Sequence, residues 1–309
     1  DMAIMKKGQD LTDVTPAILT GMREILKKEK PDIVLVHGDT STAFATSLAA
    51  FYQQIPVGHV EAGLRTYNMK SPYPEEFNRQ AIGLTATLHF APTQKAADAL
   101  LKEGKDPERI FVTGNTGIDA LHYTVRNDFY HPETEWAKDS RLIAVTAHRR
   151  ENLGEPMRDM FRAIRKIVEE FTDVKVIYPV HLNPQVRKIA DEEFGGCKRI
   201  HLIEPLDVVE FHNLMKASYL IMTDSGGIQE EAPALGKPVL VMRDTTERPE
   251  GVEAGTLKLA GTKMDDIYRE CRLLLTEPEI YRRMSEARNP YGDGTASIKI
   301  RKILENINA

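Results

Sequence analysis

The sequence predicts an α/β protein made of two doubly wound parallel-sheet halves. Three observations carry that expectation. Short apolar runs alternate along the chain with stretches whose apolar residues fall at helical spacing. Nearly every apolar run ends in a polar turn, such as Gly38-Asp39-Thr40, Glu61-Ala62-Gly63 or Asp224-Ser225-Gly226-Gly227. The rhythm occurs twice, and residues 126–140 (RNDFYHPETEWAKDS), which follow neither period, interrupt it.

In the first half, Leu11, Val14, Ile18, Met22 and Ile25 predict a helix over 11–29, with Pro16 tolerated near its start and Pro31 ending it. Strands follow at 32–37, 56–60, 88–91 and 110–113, separated by helices running to about Tyr52, over 75–86 and over 94–103. In the second half, strands at 142–147, 175–180, 200–203, 219–222, 239–242 and 257–260 alternate with helices, and helices 263–276 and 278–287 and a last one follow. The expected organisation is an N-terminal domain, 1–125, a linker, 126–140, and a C-terminal domain, 141–290. Residues 291–309 form a C-terminal helix packing back on the N-terminal domain. A half that opens on a helix predicts that its first strands are absent from this sequence; at about 30 residues per βα unit, that is roughly sixty residues.

Composition narrows the function classes. The net charge of −5 gives no basic surplus for neutralising a nucleic-acid backbone, so no nucleic-acid partner is expected. No apolar run approaches the roughly 18 residues that span a bilayer, so no membrane partner is expected either. Cys197 and Cys271 stand apart, without metal spacing, which fits a reducing, cytoplasmic setting. Signatures of a P-loop, a GxGxxG dinucleotide fold, an HExxH zinc site and a GxSxG nucleophile elbow are missing, so neither metal nor cofactor is expected.

In doubly wound sheets ligands bind beyond the carboxyl ends of the strands. The first half puts Asp39, Glu61 and, after a Pro-containing loop, Glu75 at such positions; the second puts His148, Arg149, His181, Asp224, Ser225 and Glu231 there. Two sheets facing one another would collect these groups in one cleft. The strand–turn–helix–strand unit at 219–242 would offer unpaired N–H groups to an anion, with Gly226 and Gly227 admitting it and Ser225 adding a hydroxyl. Together the set suggests acid–base work on a phosphorylated ligand. Plainer readings stand beside it. Asp39 and Thr40 could cap the next helix. Glu75 could answer a helix dipole, His181 could be structural, and Phe211 could be a core residue of an amphipathic helix. Glu61 is harder to explain away, since it closes a buried strand.

The blocks HGDTSTAF, VGHVEAGLRT, SPYPEEFNRQ, TAHRRENLGEP, YPVHLNP, TDSGGIQEEAPALGKPVLVMRDTTERPEGVEAGT and NPYGDG are specific in combination. With them the chain closely resembles the bacterial non-hydrolysing UDP-N-acetylglucosamine 2-epimerases over its whole length. The resemblance implies two Rossmann-like domains facing across a cleft, the glycosyltransferase-B architecture. It implies interconversion of UDP-N-acetylglucosamine and UDP-N-acetylmannosamine through elimination of UDP and its re-addition to a 2-acetamidoglucal, serving cell-surface polysaccharide. Position by position it assigns Asp39, Glu61, Glu75 and His148 to catalysis. It assigns Ser225, Gly226 and Gly227 to phosphate, Glu231 to ribose and Phe211 to uracil, reversing the core reading of that phenylalanine. It also implies a homodimer and an allosteric second UDP-N-acetylglucosamine near Glu75, Arg149 and His181. The family pattern carries an arginine in that allosteric set where this chain has Gly8. A glycosyltransferase of the same architecture, a hydrolysing epimerase and an inactive UDP-sugar sensor are the competing expectations.

Overall fold

The computed structural model describes residues 2–6 and 8–306. Two compact units divide the chain: Asp1–Thr116 with Gly294–Ala309, and Gly117–Asp293.

The first unit holds α1 (Leu11–Glu29), β1 (Val34–His37), α2 (Ser41–Tyr52), β2 (Val57–Val60), α3 (Glu75–Thr85), β3 (Leu88–Ala91), α4 (Gln94–Lys102) and β4 (Ile110–Val112). Its four strands are all parallel and lie in the order β1-β2-β3-β4. Asp10 starts α1 with a capping box, accepting from the Thr12 and Asp13 amides while the Asp13 carboxylate accepts from the Asp10 amide. One sheet face packs Val36 and Val57 beneath Leu26, Ala49, Ala50 and Ile82. The other packs Val60, Leu88 and Phe90 against Ile300.

The second unit begins within α5 (Thr116–Thr124) and continues through α6 (Pro132–Ala137), β5 (Arg141–Thr146), α7 (Glu155–Glu170), β6 (Val174–Pro179), α8 (Pro184–Phe194), β7 (Ile200–Ile203), α9 (Val208–Ala217), β8 (Leu220–Thr223), α10 (Ile228–Ala234), β9 (Val239–Val241), α11 (Pro249–Glu253), β10 (Leu257–Leu259), α12 (Met264–Thr276) and α13 (Pro278–Ser285). The last helix, α14 (Ala296–Asn306), supplies Ile300 and belongs to the first unit. The six parallel strands run β10-β9-β8-β5-β6-β7. Strand order therefore reverses between β5 and β8, the topological switch point at which such sheets open a crevice. The apolar stripe of α7, Met157, Met160, Phe161, Ile164, Ile167 and Val168, is fully buried against this sheet. Each such side chain contributes roughly 1.5–3 kcal/mol of burial free energy.

The expected linker at 126–140 is not one. The chain crosses between units at Thr116/Gly117 and again at Asp293/Gly294, and residues 132–137 form α6 inside the second unit. Trp136 stacks on His201 with ring centroids 3.5 Å apart, and Glu133 holds the same imidazole at 2.6 Å. The segment reads as polar because its buried contacts are made by a few side chains, which leave no hydrophobic period. No helix among the described residues is long and apolar enough to cross a membrane.

Candidate active site

In the first unit the site-forming positions are the ends of β1 and β2 and the start of α3. Thr40, not Asp39, caps α2, its hydroxyl accepting from the Ala43 amide at 3.1 Å. That leaves the Asp39 carboxylate for Arg79, whose guanidinium donates to it at 2.7 Å while itself only 4 % exposed. Asn78 on the same helix donates to the Asp39 carbonyl at 2.8 Å. Glu76 is fully buried and accepts from the amides of Thr66 and Tyr67, so this acid clasps the loop ahead of α3. Its neighbour Glu75 is half-buried, and among the described residues its side chain forms no hydrogen bond or ion pair.

Glu61 stands on strained backbone, with φ +65° in a region a side chain rarely enters. Gly38 is the reason its carboxylate fits. At φ +67° Gly38 has no Cβ, and one added there would lie 2.9 Å from Glu61 Oε2. The Gly38 amide donates to the Val60 carbonyl at 3.0 Å, and its own carbonyl accepts from His59 Nε2 at 2.8 Å. Burial drives the His59 pKa down to about 3 against the Gly38 hydrogen bond, with His89, Arg65 and His37 adding to the fall. His59 is thus a neutral, fixed donor. Asn115, in the turn after β4, donates to Glu61 Oε1 at 3.3 Å.

In the second unit, Asp224 at the end of β8 is fully buried and organises the end of β5 across the switch point. Its Oδ2 accepts from the amides of His148 and Arg149, each at 2.9 Å, and from Asn152 Nδ2 at 3.2 Å. Its Oδ1 lies 3.5 Å from His148 Nδ1 and accepts no hydrogen bond. Desolvation lowers the His148 pKa while Asp224 opposes the fall. The His148 ring stacks on His181, centroids 5.3 Å apart.

Beyond Asp224 the chain turns through Ser225, Gly226 and Gly227 into α10. Among the described residues the amides of Gly226, Gly227 and Ile228 meet no acceptor, as befits the first N–H groups of a helix. The two glycines differ in their surroundings. A Cβ on Gly226 would lie 2.6 Å from Arg248 Nη1 and 2.9 Å from Glu247 Oε1, so Gly226 makes room for the protein's own side chains. A Cβ on Gly227 would meet only Glu231 Oε1, at an ordinary 3.7 Å. Behind the turn lies a buried ion cluster. Arg248 pairs with Glu230 and, at 2.6 Å, with Glu247, whose other oxygen takes Arg243 at 2.9 Å. Arg149 reaches Glu247 at 3.5 Å and donates to the Asp224 carbonyl at 2.9 Å. Burial alone would raise the Glu247 pKa, but Arg248, Arg243 and Arg149 overrule it and bring it down to about 2. Phe211 on α9 is half-buried, one side against the apolar cluster that contains Leu214 and Val239.

Of the anticipated residues, His148, Arg149, His181 and the Ser225–Gly227 turn meet at the switch point, and Glu231 lies against Gly227. Asp39 and Glu61 stand on adjacent strand ends. Gly8 has φ +86° and open space where a side chain would project. Sequence reasoning missed Arg79, Asn115 and the Arg243–Glu247–Arg248 cluster. Asn115 obeys the same strand-end rule that found Glu61; Arg79 shows no period that separates it from a solvated helix charge. No group of three or more His, Cys, Asp or Glu among the described residues could hold a metal ion.

Two units, each built on a parallel sheet with polar side chains at its strand ends, make this an α/β protein of the glycosyltransferase-B type. The family model for UDP-N-acetylglucosamine 2-epimerase matches residues 1–305, and the chain belongs to that family. The UDP-N-acetylglucosamine 2-epimerase of Bacillus subtilis is 62% identical over 307 residues, covering 99% of this chain and 80% of that protein. A solved UDP-N-acetylglucosamine 2-epimerase structure from Listeria monocytogenes superposes with a TM-score of 0.96 at 58% identity, over 98% of this chain and 80% of that one. The Neisseria meningitidis enzyme bound to UDP-GlcNAc gives 0.92 at 46% identity, over 98% and 84%.

Proposed function

We propose that this chain interconverts UDP-N-acetylglucosamine and UDP-N-acetylmannosamine by elimination and re-addition. The observation that carries the reading is the switch-point pairing of a buried, three-fold hydrogen-bonded Asp224 with His148, beside a turn whose leading amides are unengaged. The turn at Ser225, Gly226 and Gly227 would hold the diphosphate, Glu231 the ribose and Phe211 the uracil. A base among Asp39, Glu61, Glu75 and His148 removes the C2 proton of the sugar as the C1–O bond to UDP breaks, leaving a C1–C2 double bond. Protonation of C2 from the opposite face and return of UDP to C1 give the epimer. Atoms balance without an external redox partner, so no cofactor or metal is invoked.

Several features of the first unit support acid–base roles. Glu61 is held in a strained conformation, which is a feature of sites whose geometry matters more than local stability. The Glu75 side chain meets no hydrogen-bond partner among the described residues. Arg79, at 2.7 Å, fixes the position of the Asp39 carboxylate. Retention of UDP matters as much as binding it, since escape after elimination would end the cycle. We extend the reading to a cytoplasmic homodimer supplying cell-surface polysaccharide synthesis. A second UDP-N-acetylglucosamine would act allosterically near Glu75, Arg149 and His181.

The test is a proton NMR time course with UDP-N-acetylglucosamine alone in D2O. Deuterium should enter C2 of both sugar nucleotides as the epimer appears. Binding without exchange would replace the reading with a sensor, UDP release on adding an acceptor with a transferase, and accumulation of N-acetylmannosamine with a hydrolysing enzyme.

A further inference from the structure

One buried histidine of the second unit lies outside every role assigned so far. His212 on α9 is 3 % exposed and follows Phe211 directly. Its Nδ1 lies 2.7 Å from Thr124 Oγ1, at the end of α5, and its Nε2 lies 3.4 Å from Glu231 Oε2 on α10. The ring therefore connects a helix end on one side to the carboxylate of Glu231 on the other.

The connection is held at both ends. Asn213, the next residue, donates to the Thr124 and Val209 carbonyls at 2.7 and 2.8 Å and accepts from the Arg126 amide at 2.9 Å. Those bonds pin the end of α5 to α9, and the Thr124 hydroxyl also lies 2.9 Å from the Ala120 carbonyl. With its neighbours fixed, the His212 ring has little freedom to turn away. On the far side, Glu231 is divided. One oxygen faces His212, and the other lies on the Gly227 side of the turn, where it is 3.7 Å from the position of a Gly227 Cβ. A carboxylate on a flexible two-carbon stem loses rotamer freedom when it must hold one pose for a ligand; a ring that takes one oxygen supplies that constraint beforehand.

We infer that His212, braced by Thr124, is a positioning residue that presets Glu231 for its ligand, leaving the Gly227-side oxygen to accept from a ribose hydroxyl. The inference rests on the assignment of Glu231 to the ribose. A proton on Nε2 is what lets the ring serve as donor to the carboxylate. The single Thr124 hydroxyl proton turns to Nδ1 when the ring is the neutral Nε2–H tautomer, and stays on the Ala120 carbonyl when the ring is cationic and Nδ1 donates to Thr124. In both of these states Nε2 carries the proton that faces Glu231.

Because H212 variants could simply loosen α9 against α5, affinity alone would not separate positioning from folding. The experiment is a ligand-by-mutant cycle read by calorimetry, with UDP and its 2′,3′-dideoxyribose analogue as probes, on wild type, H212Q, E231Q and H212Q/E231Q. Wild type should prefer UDP over the analogue by roughly 10-fold, the scale of about one hydrogen bond to a charged group. That preference should collapse in E231Q and fall by most of the same factor in H212Q, with the double variant no worse than E231Q alone. Equal weakening of both ligands by H212Q, or full additivity in the double variant, would reduce His212 to an α5–α9 clamp and overturn the inference. If E231Q itself keeps the full preference, the ribose assignment of Glu231 fails instead. T124V, which keeps the shape and removes the hydroxyl, should reproduce part of the H212Q loss while unfolding at the wild-type temperature within a few degrees; a T124V protein with the full wild-type preference would remove Thr124 from the arrangement.

Discussion

The two units keep their strand-end residues in shape by different means. In the first unit, Glu61 sits at φ +65°, Gly38 at φ +67°, and the groups around them are neutral donors: His59 on the Gly38 carbonyl and Asn115 on the Glu61 carboxylate. In the second unit the backbone around the Ser225–Gly227 turn is ordinary, Gly227 having φ −61°. Its form is fixed by buried charge, Asp224 on one flank and the Arg243–Glu247–Arg248–Glu230 cluster on the other. Conformational strain thus shapes the surroundings of Glu61, although Asp39 on the neighbouring strand end is held by the buried Arg79, and charge pairing shapes the surroundings of the Ser225–Gly227 turn. A proton-transfer group needs sub-ångström placement but modest binding, whereas a diphosphate holder needs a stiff frame around a large, highly charged guest.

Removing chemistry from either half should cost the most. Glu61→Gln and His148→Ala are each expected to reduce turnover by about 100-fold or more, the usual scale for losing an acid–base group. UDP affinity should survive in Glu61→Gln, because nothing in the first unit is assigned to the nucleotide. Conversion followed by NMR and UDP binding followed by calorimetry would break the comparison if turnover stays within a few-fold of wild type.

The glycines sharpen it. Gly38→Ala places a methyl 2.9 Å from Glu61 Oε2 at a left-handed φ, which costs about 1–2 kcal/mol of stability and moves the carboxylate. Its activity should fall by more than its stability explains. Gly226→Ala has no φ penalty, but it pushes a methyl into Arg248 and Glu247 and should break a buried ion pair, costing on the order of 3–5 kcal/mol. Thermal melts set beside rates decide the matter: the first variant should fail mainly in turnover, the second mainly in stability. Equal failure in both measures for both variants would remove the distinction between a strained half and a charged half.

Much of this was legible in the amino-acid order, and the rest was hidden for a physical reason. Strand ends can be read because an apolar run stops at a polar residue, and that rule found Asp39, Glu61, His148, Asp224 and Ser225. It found Glu231 through the helix that follows. It could not rank Glu75 against Glu76: both open α3, yet Glu76 is buried on the loop amides of Thr66 and Tyr67 while Glu75 stays uncommitted. Nor could it find Arg79 or Arg248, because a charge that turns inward onto a partner distant in sequence leaves no period. The purpose of Gly226 was hidden likewise, its neighbours Glu247 and Arg248 lying twenty-one and twenty-two positions away along the chain. The linker misreading at 126–140 has the same origin, Trp136 and Glu133 being recruited by His201 on β7.

Acid should separate the halves with the smallest but most orderly effect. His59 and His89 are buried neutral in the first unit, their pKa values pushed by desolvation to about 3 and about 4 from an ordinary 6.5. In the unfolded chain both take up protons below 6.5 and in the folded chain they do not, so the unfolded state binds more protons and stability falls as pH drops through that range. The loss continues down to the folded values, below which the native state is protonated too. Glu247 in the second unit is held at about 2 against an ordinary 4.5, so its stabilising contribution is intact above 4.5 and disappears only as pH falls from there toward 2. His148 adds a loss to the second unit from the same starting pH as the first, but Asp224 opposes its shift and its side chain is 42 % exposed, which screens the effect. Hydrogen exchange read by mass spectrometry in pH steps from 7 to 3 should therefore show amides of β2 and β3 losing protection in the decade below 6.5, while those of β8 and β9 hold until below about 4.5. Replacing His59 with glutamine, which keeps a donor toward the Gly38 carbonyl without titrating, should delay the first loss and leave the second unmoved. If β8 and β9 open first, or if His59→Gln shifts both together, charge pairing is not what distinguishes the second unit.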